Sequence, residues 1–211
     1  MLTVLIDYES GNLHSAEKAF QRMARETGGG EVRVTADPDL VARADRVVLP
    51  GDGAFPACRE ALAEQTALYQ ALVETVEARG RPFLGICVGM QLMATIGREY
   101  RDTPGLGWIP GEVGRIEPGQ GQKVPHMGWN DLVVDRPHPV LEGVATGDHA
   151  YFVHSYQLRV EEPAHLLAHA QYGEAVTAVV GRGNTVGTQF HPEKSQATGL
   201  RMIANFLRWR P

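Results

Sequence analysis

Apolar residues in the first half of the chain alternate between short unbroken runs and segments where they recur at helical spacing. Val4-Leu5-Ile6 is such a run and predicts a buried strand, after which Leu13, Ala16, Phe20 and Met23 fall on one helical face. Gly28-Gly29-Gly30 ends that helix, Val32-Arg33-Val34-Thr35 predicts a second strand, and Asp37-Pro38 opens a helical turn through Leu40 and Val41. Val47-Val48-Leu49 predicts a third strand, running into Pro50-Gly51-Asp52-Gly53. Leu68, Leu72 and Val76 then share a helical face that stops at Gly80. A fourth apolar run from Pro82 to Ile86 follows, and Val88, Met90, Leu92, Met93 and Ala94 can continue it as helix. Strands alternating with helices predict a parallel sheet with right-handed crossovers, helices on both faces, and a site at the carboxyl ends of the strands.

From about Gly105 the pattern changes to Pro, Gly and short β-rich runs: Val113 to Ile116, Asp131 to Val134, Tyr151 to Tyr156, Leu158 to Val160, Leu166 to Ala170, Val176 to Val180, and Thr185 to Phe190. These predict hairpins and antiparallel strands added to one edge of the sheet. A last helix carries Leu200, Ile203, Ala204 and Leu207 as one apolar stripe. The fold class expected is α/β: a mostly parallel central sheet flanked by helices, with an antiparallel β extension in the C-terminal half. No linker-like composition interrupts the chain, which reads as one domain over residues 1–211.

Composition narrows the function. With 211 residues, 43% hydrophobic and 21% charged, the chain is long enough for a sizeable core and ordinary for a globular protein. A net charge of −5 without a basic stripe argues against nucleic acid as a partner. No apolar stretch approaches a membrane span and no signal-peptide pattern precedes Leu2, so no membrane partner is expected. Two cysteines, Cys58 and Cys87, are read as free thiols in a reducing, cytoplasmic setting, with Cys58 a bystander on a helix after Pro56. None of the eight histidines falls in a metal-ligand spacing, so no metal is expected.

The chemistry concentrates at Phe83-Leu84-Gly85-Ile86-Cys87-Val88-Gly89-Met90-Gln91-Leu92. An apolar strand ends at a cysteine with glycine two residues to either side, then turns into helix; that places a thiol at the apex of a sharp turn. Glycine neighbours allow close approach of other backbone, and helix-start amides favour a thiolate. A base follows a hundred residues later in Gln189-Phe190-His191-Pro192-Glu193-Lys194. Pro192 pushes His191 towards an extended conformation, in which His191 and Glu193 point the same way. A carboxylate so placed orients the imidazole that takes the thiol proton, giving a candidate triad of Cys87, His191 and Glu193. The Val88 N–H, directly after the nucleophile, is one candidate oxyanion donor. Gln91, one helical turn after Cys87, can face the same pocket.

These motifs resemble those of the triad-type (class I) glutamine amidotransferases, whose fold is flavodoxin-like. Finer marks resemble the subgroup that serves as glutaminase subunit of imidazole glycerol phosphate synthase: Asp7-Tyr8-Glu9-Ser10-Gly11-Asn12-Leu13, Pro50-Gly51-Asp52-Gly53, His126-Met127-Gly128-Trp129-Asn130 and Tyr151-Phe152-Val153-His154-Ser155-Tyr156. The resemblance implies hydrolysis of L-glutamine through a thioester, without a cofactor. It also implies ammonia delivery to a (β/α)₈-barrel cyclase subunit, which forms imidazole glycerol phosphate and aminoimidazole carboxamide ribotide in histidine biosynthesis. It assigns the second oxyanion donor to the N–H of Asp52, flanked by Gly51 and Gly53 at the substrate, and glutamine binding to Gln91 with the backbone of Ser155 and Tyr156. Asn12, Trp129, Asn130, Tyr151 and Lys194 become the expected partner interface. Asp52 departs from the small apolar residue usual there, and its carboxylate would oppose an oxyanion unless it points to solvent or caps a helix. The alternatives are a glutaminase subunit of another amidotransferase (the pyridoxal phosphate synthase type, whose Gly-Gly-Glu-Ser segment is replaced here by Pro50-Gly51-Asp52-Gly53), a catalytically silent docking subunit, and a free-standing cysteine hydrolase.

Overall fold

The computed structural model describes residues 1–10 and 13–211. Its first half follows the predicted alternation: β1 (Leu2–Ile6), α1 (Leu13–Thr27), β2 (Glu31–Thr35), α2 (Pro38–Ala42), β3 (Arg46–Gly51), α3 (Phe55–Glu64), α4 (Thr66–Val73), β4 (Phe83–Cys87) and α5 (Val88–Gln91). The Asp37 side chain caps α2 by accepting from the Asp39 N–H, with Pro38 in the first turn. β2, β1, β3 and β4 lie side by side in that order, all parallel. β3 and β4 are buried along their whole length, which is why they read as unbroken apolar runs rather than alternating ones.

The second half comprises β5 (Ala94–Gly97), β6 (Thr103–Pro104), β7 (Ile109–Arg115), β8 (His126–Asp131), β9 (Val133–Val134), β10 (His149–His154), β11 (Tyr156–Val160), β12 (Leu166–Tyr172), β13 (Glu174–Arg182), β14 (Thr185–Thr188) and α6 (Gln196–Arg208). β14 joins β4 in parallel, and β13, β12 and β9 continue the sheet antiparallel to an eight-stranded total. The antiparallel extension expected at one edge is therefore present. The remaining strands form separate sheets instead, β11-β7-β5-β6 and the β8–β10 pair. In α6, which packs on α1, Ile203, Ala204 and Leu207 are buried and Leu200 partly so.

One local expectation is corrected. The apolar residues after Cys87 do not continue as a long helix: α5 is a single turn. The carbonyls of Leu92, Met93 and Ala94, which a longer helix would use, accept instead from the N–H groups of Leu106 (2.7 Å), Ile109 (2.9 Å) and Gly107 (3.0 Å). Tertiary hydrogen bonding to the 105–109 segment outcompetes helical propensity and turns the chain into β5.

Candidate active site

Cys87 ends β4 at the centre of the sheet, beside Gly51 at the end of β3, while Thr188 of β14 pairs with Ile86. Its backbone is left-handed, φ 55° and ψ −114°, a conformation costly for any residue with a Cβ. The bracketing glycines are there for space. A Cβ on Gly89 would collide with the Leu49 carbonyl oxygen, and one on Gly85 would come within 2.6 Å of the Gly89 carbonyl oxygen. The elbow closes only because its first helical turn can settle onto β3 and β4.

His191 lies three residues beyond β14. It enters extended (φ −90°, ψ 102°), as Pro192 dictates, but the chain then coils into a 3₁₀ turn over Pro192–Lys194. The His191–Glu193 contact is thus made across a turn rather than along an extended strand. The His191 Nδ1–H donates to Glu193 Oε1 at 2.8 Å, with the two side chains 5% and 2% exposed. Burial alone pulls the imidazole's pKa down. Interaction with Cys87 on one side and Glu193 on the other outweighs it, and the pKa is pushed up to about 10.

The model of the class-I glutamine amidotransferases matches residues 4–209. The chain is 70% identical to the imidazole glycerol phosphate synthase subunit HisH of Ruegeria pomeroyi and 68% identical to that of Cereibacter sphaeroides, each over 100% of both chains. This chain belongs to the class I glutamine amidotransferases. Among solved structures it is similar to a glutamine amidotransferase with TM-score 0.72 and 20% identity, covering 98% of this chain and 99% of that one. Another, from Thermotoga maritima, gives TM-score 0.68 and 17% identity, covering 96% and 80%.

Within this amidotransferase, Gln91 is buried at 3% exposure and spends its amide hydrogens inside the protein. Its Nε2 donates to the Tyr156 carbonyl and to Gln189 Oε1, both at 3.0 Å. Gln189 Nε2 in turn donates to Cys87 Sγ at 3.7 Å. The Ser155 carbonyl is held by the Ile116 N–H at 3.0 Å. Gln91, Tyr156 and Cys87 are thus brought together as expected, through a residue that sequence reasoning quoted but gave no role.

A second group was also missed. His154 Nδ1–H donates to the same Tyr156 carbonyl at 2.8 Å, His126 pairs with His154 at 2.9 Å, and Asn130 Nδ2 donates to His126 Nε2 at 3.1 Å. Burial holds both imidazoles down to about 4, so they are neutral, and donor–acceptor logic allows one arrangement: Asn130 to His126 to His154 to the carbonyl. The His126 ring is stacked between Phe152 and Tyr172. The signal was faint in sequence: a histidine opening β8 and another closing β10 meet only because the two strands pair His126 with His154. Among the described residues, no group of three or more His, Cys, Asp or Glu could hold a metal ion.

The expected oxyanion donor at residue 52 is engaged elsewhere. The Asp52 N–H donates to Ser10 Oγ at 3.2 Å, and the Asp52 carbonyl accepts from Ser10 Oγ at 2.8 Å and Cys58 Sγ at 3.4 Å. Cys58 therefore packs against the Pro50–Gly53 turn, its thiol pKa raised by burial. Asp52 itself is exposed, the condition under which its carboxylate is compatible with a nearby oxyanion. Gly53 has φ +108° with open space around it, and a Cβ on Gly51 would press on Gly89 N and Val88.

Of the expected interface residues, Trp129 is 48% exposed and packs edge-on against Tyr151 of the neighbouring strand at 5.8 Å between ring centres. Met127 on the same strand is also exposed. Lys194 is half-buried, in the turn that carries Glu193. Asn130 spends both amide hydrogens internally, on His126 and on the Gln171 carbonyl. Asn12 lies outside the described residues.

Proposed function

We propose that the chain is the glutaminase of an imidazole glycerol phosphate synthase, with Cys87, His191 and Glu193 as its triad. The supporting observation is the His191 imidazole held between the Cys87 sulfur and a buried Glu193 carboxylate. With Nδ1 committed to Glu193, Nε2 is the nitrogen that takes the thiol proton. The thiolate attacks the side-chain amide carbon of L-glutamine, and the N–H of Val88 stabilises the oxyanion. His191 returns its proton to the departing ammonia, leaving a thioester. Water, deprotonated by the same imidazole, releases glutamate and regenerates the thiol. Gln91 and the Ser155–Tyr156 backbone position the substrate.

The partner is a (β/α)₈-barrel cyclase subunit that docks on the face carrying Trp129, Tyr151 and Lys194 and receives the ammonia. Docking completes the oxyanion hole by freeing the Asp52 N–H from Ser10. Two free thiols, Cys58 and Cys87, accord with a reducing cytoplasm. The test is glutamate production by the purified chain, alone and with the cyclase. Turnover should appear with the pair and vanish in Cys87→Ala; equal turnover with and without the cyclase would overturn the partner dependence.

A further inference from the structure

Gln189 is fully buried between the substrate side and the nucleophile, where an apolar residue would cost less to desolvate. Its carboxamide can face only one way. Gln91 Nε2 is a donor, so the Gln189 atom 3.0 Å from it is the oxygen, which turns the Gln189 nitrogen towards Cys87 Sγ. The backbone holds this geometry, since the Gln189 N–H is tied to the Ala178 carbonyl at 2.9 Å. An amide N–H can donate to sulfur but not accept from it. It therefore interacts more strongly with a thiolate than with a thiol, because charge-assisted hydrogen bonds are the stronger kind.

We propose that Gln189 is a further catalytic residue, a second donor to the Cys87 thiolate alongside His191. The assignment rests on the reading of Cys87 as nucleophile. It has consequences in both halves of the reaction. Before attack, the donor raises the share of sulfur present as thiolate while the proton sits on His191. In thioester hydrolysis the C–S bond breaks, its electron pair returns to sulfur, and the same N–H stabilises the departing thiolate. Gln189 keeps its own protons throughout. Because its oxygen anchors Gln91, the same carboxamide also couples the substrate-binding side chain to the nucleophile.

Two variants separate these contacts: Gln189→Met removes the donor to sulfur without adding charge but also loses the oxygen for Gln91, whereas Gln189→Glu keeps an oxygen for Gln91 and replaces the donor with a carboxylate that opposes the thiolate. The complex with the cyclase is compared in wild-type, Gln189→Glu and Gln189→Met forms, all confirmed folded by circular dichroism. Two readouts are taken: kcat and KM for glutamine, and the rate of Cys87 alkylation by iodoacetamide, with peptide mapping to separate Cys87 from Cys58. Loss of a hydrogen bond to a charged acceptor should slow alkylation and lower kcat roughly fivefold or more in both variants. KM should rise chiefly in Gln189→Met, which also loses the anchor for Gln91. Alkylation of Cys87 within twofold of wild type in the uncharged Gln189→Met, which has no donor to sulfur, would overturn the proposal, whatever happens to KM. Glutamine hydrolysis surviving in Cys87→Ala would instead overturn the nucleophile assignment on which it rests.

Discussion

The His191 backbone N–H donates to the Tyr151 carbonyl at 3.1 Å, fastening the proposed base to β10, whose Tyr151 packs against the exposed Trp129 of β8. Ser195 reinforces the joint: its hydroxyl accepts from the Tyr151 N–H at 2.9 Å and donates to the His191 carbonyl at 2.7 Å. Ser195→Ala takes the acceptor from the Tyr151 N–H and one of two donors from the His191 carbonyl, which keeps the Lys194 N–H at 3.0 Å. We expect a stability loss of about 1–3 kcal/mol in urea titrations and a lower kcat of the complex. Unchanged values of both would show that the joint carries no strain to the triad.

The left-handed Cys87 backbone makes a comparison between two variants of the proposed nucleophile informative. Cys87→Ala keeps a Cβ in the costly conformation, whereas Cys87→Gly relieves it. The glycine variant should be the more stable by about 1 kcal/mol, despite glycine's greater flexibility when unfolded. Equal or reversed urea midpoints would mean the elbow is not strained.

Ser10 occupies the Asp52 N–H in the chain by itself. Ser10→Ala removes that competitor and should raise glutamine hydrolysis by the isolated chain several-fold, while Ser10→Thr, which keeps the hydroxyl, should not. Basal turnover identical in all three forms would count against the latch.

Stability should depend on pH through the His126–His154 pair. Their folded pKa values, about 4, lie below the ordinary 6.5, so the unfolded chain binds the extra protons first. Their contribution is complete above about pH 6.5 and is lost as pH falls towards 4. His191 has the opposite sign, its contribution complete below about 6.5 and lost as pH rises towards 10. Urea midpoints of wild type should fall between pH 6.5 and 4 more steeply than those of a His126→Gln/His154→Gln double variant. Parallel slopes would contradict the neutral pair.

The half-exposed Trp129 against Tyr151 has the character of an interface anchor. Trp129→Ala should weaken binding to the cyclase by about 2 kcal/mol or more, read by calorimetry, and leave the melting temperature of the isolated chain unchanged. A large drop in melting temperature would reassign Trp129 to packing.

Sequence by itself determined what local chemistry determines. The unbroken runs Val4–Ile6 and Val47–Leu49 read as buried strands, and glycine at 85 and 89 marked the turn at Cys87. Pro192 set the extended entry of His191. What the tertiary structure decided is whatever depends on contacts between distant segments. The helix after Cys87 stops at one turn because the 105–109 segment takes its carbonyls. β14 comes to lie beside β4, and that alone brings His191 to a sulfur a hundred residues earlier in the chain. His126 meets His154 only through the register of β8 on β10, and the Asp52 N–H turns away to Ser10. Gln189 gains a direction, and with it a donor aimed at Cys87, only once Gln91 has claimed its oxygen. Side-chain polarity can be read along a chain; the partner that polarity finds is settled by folding, because a buried donor must take whichever acceptor the packed segments bring within reach.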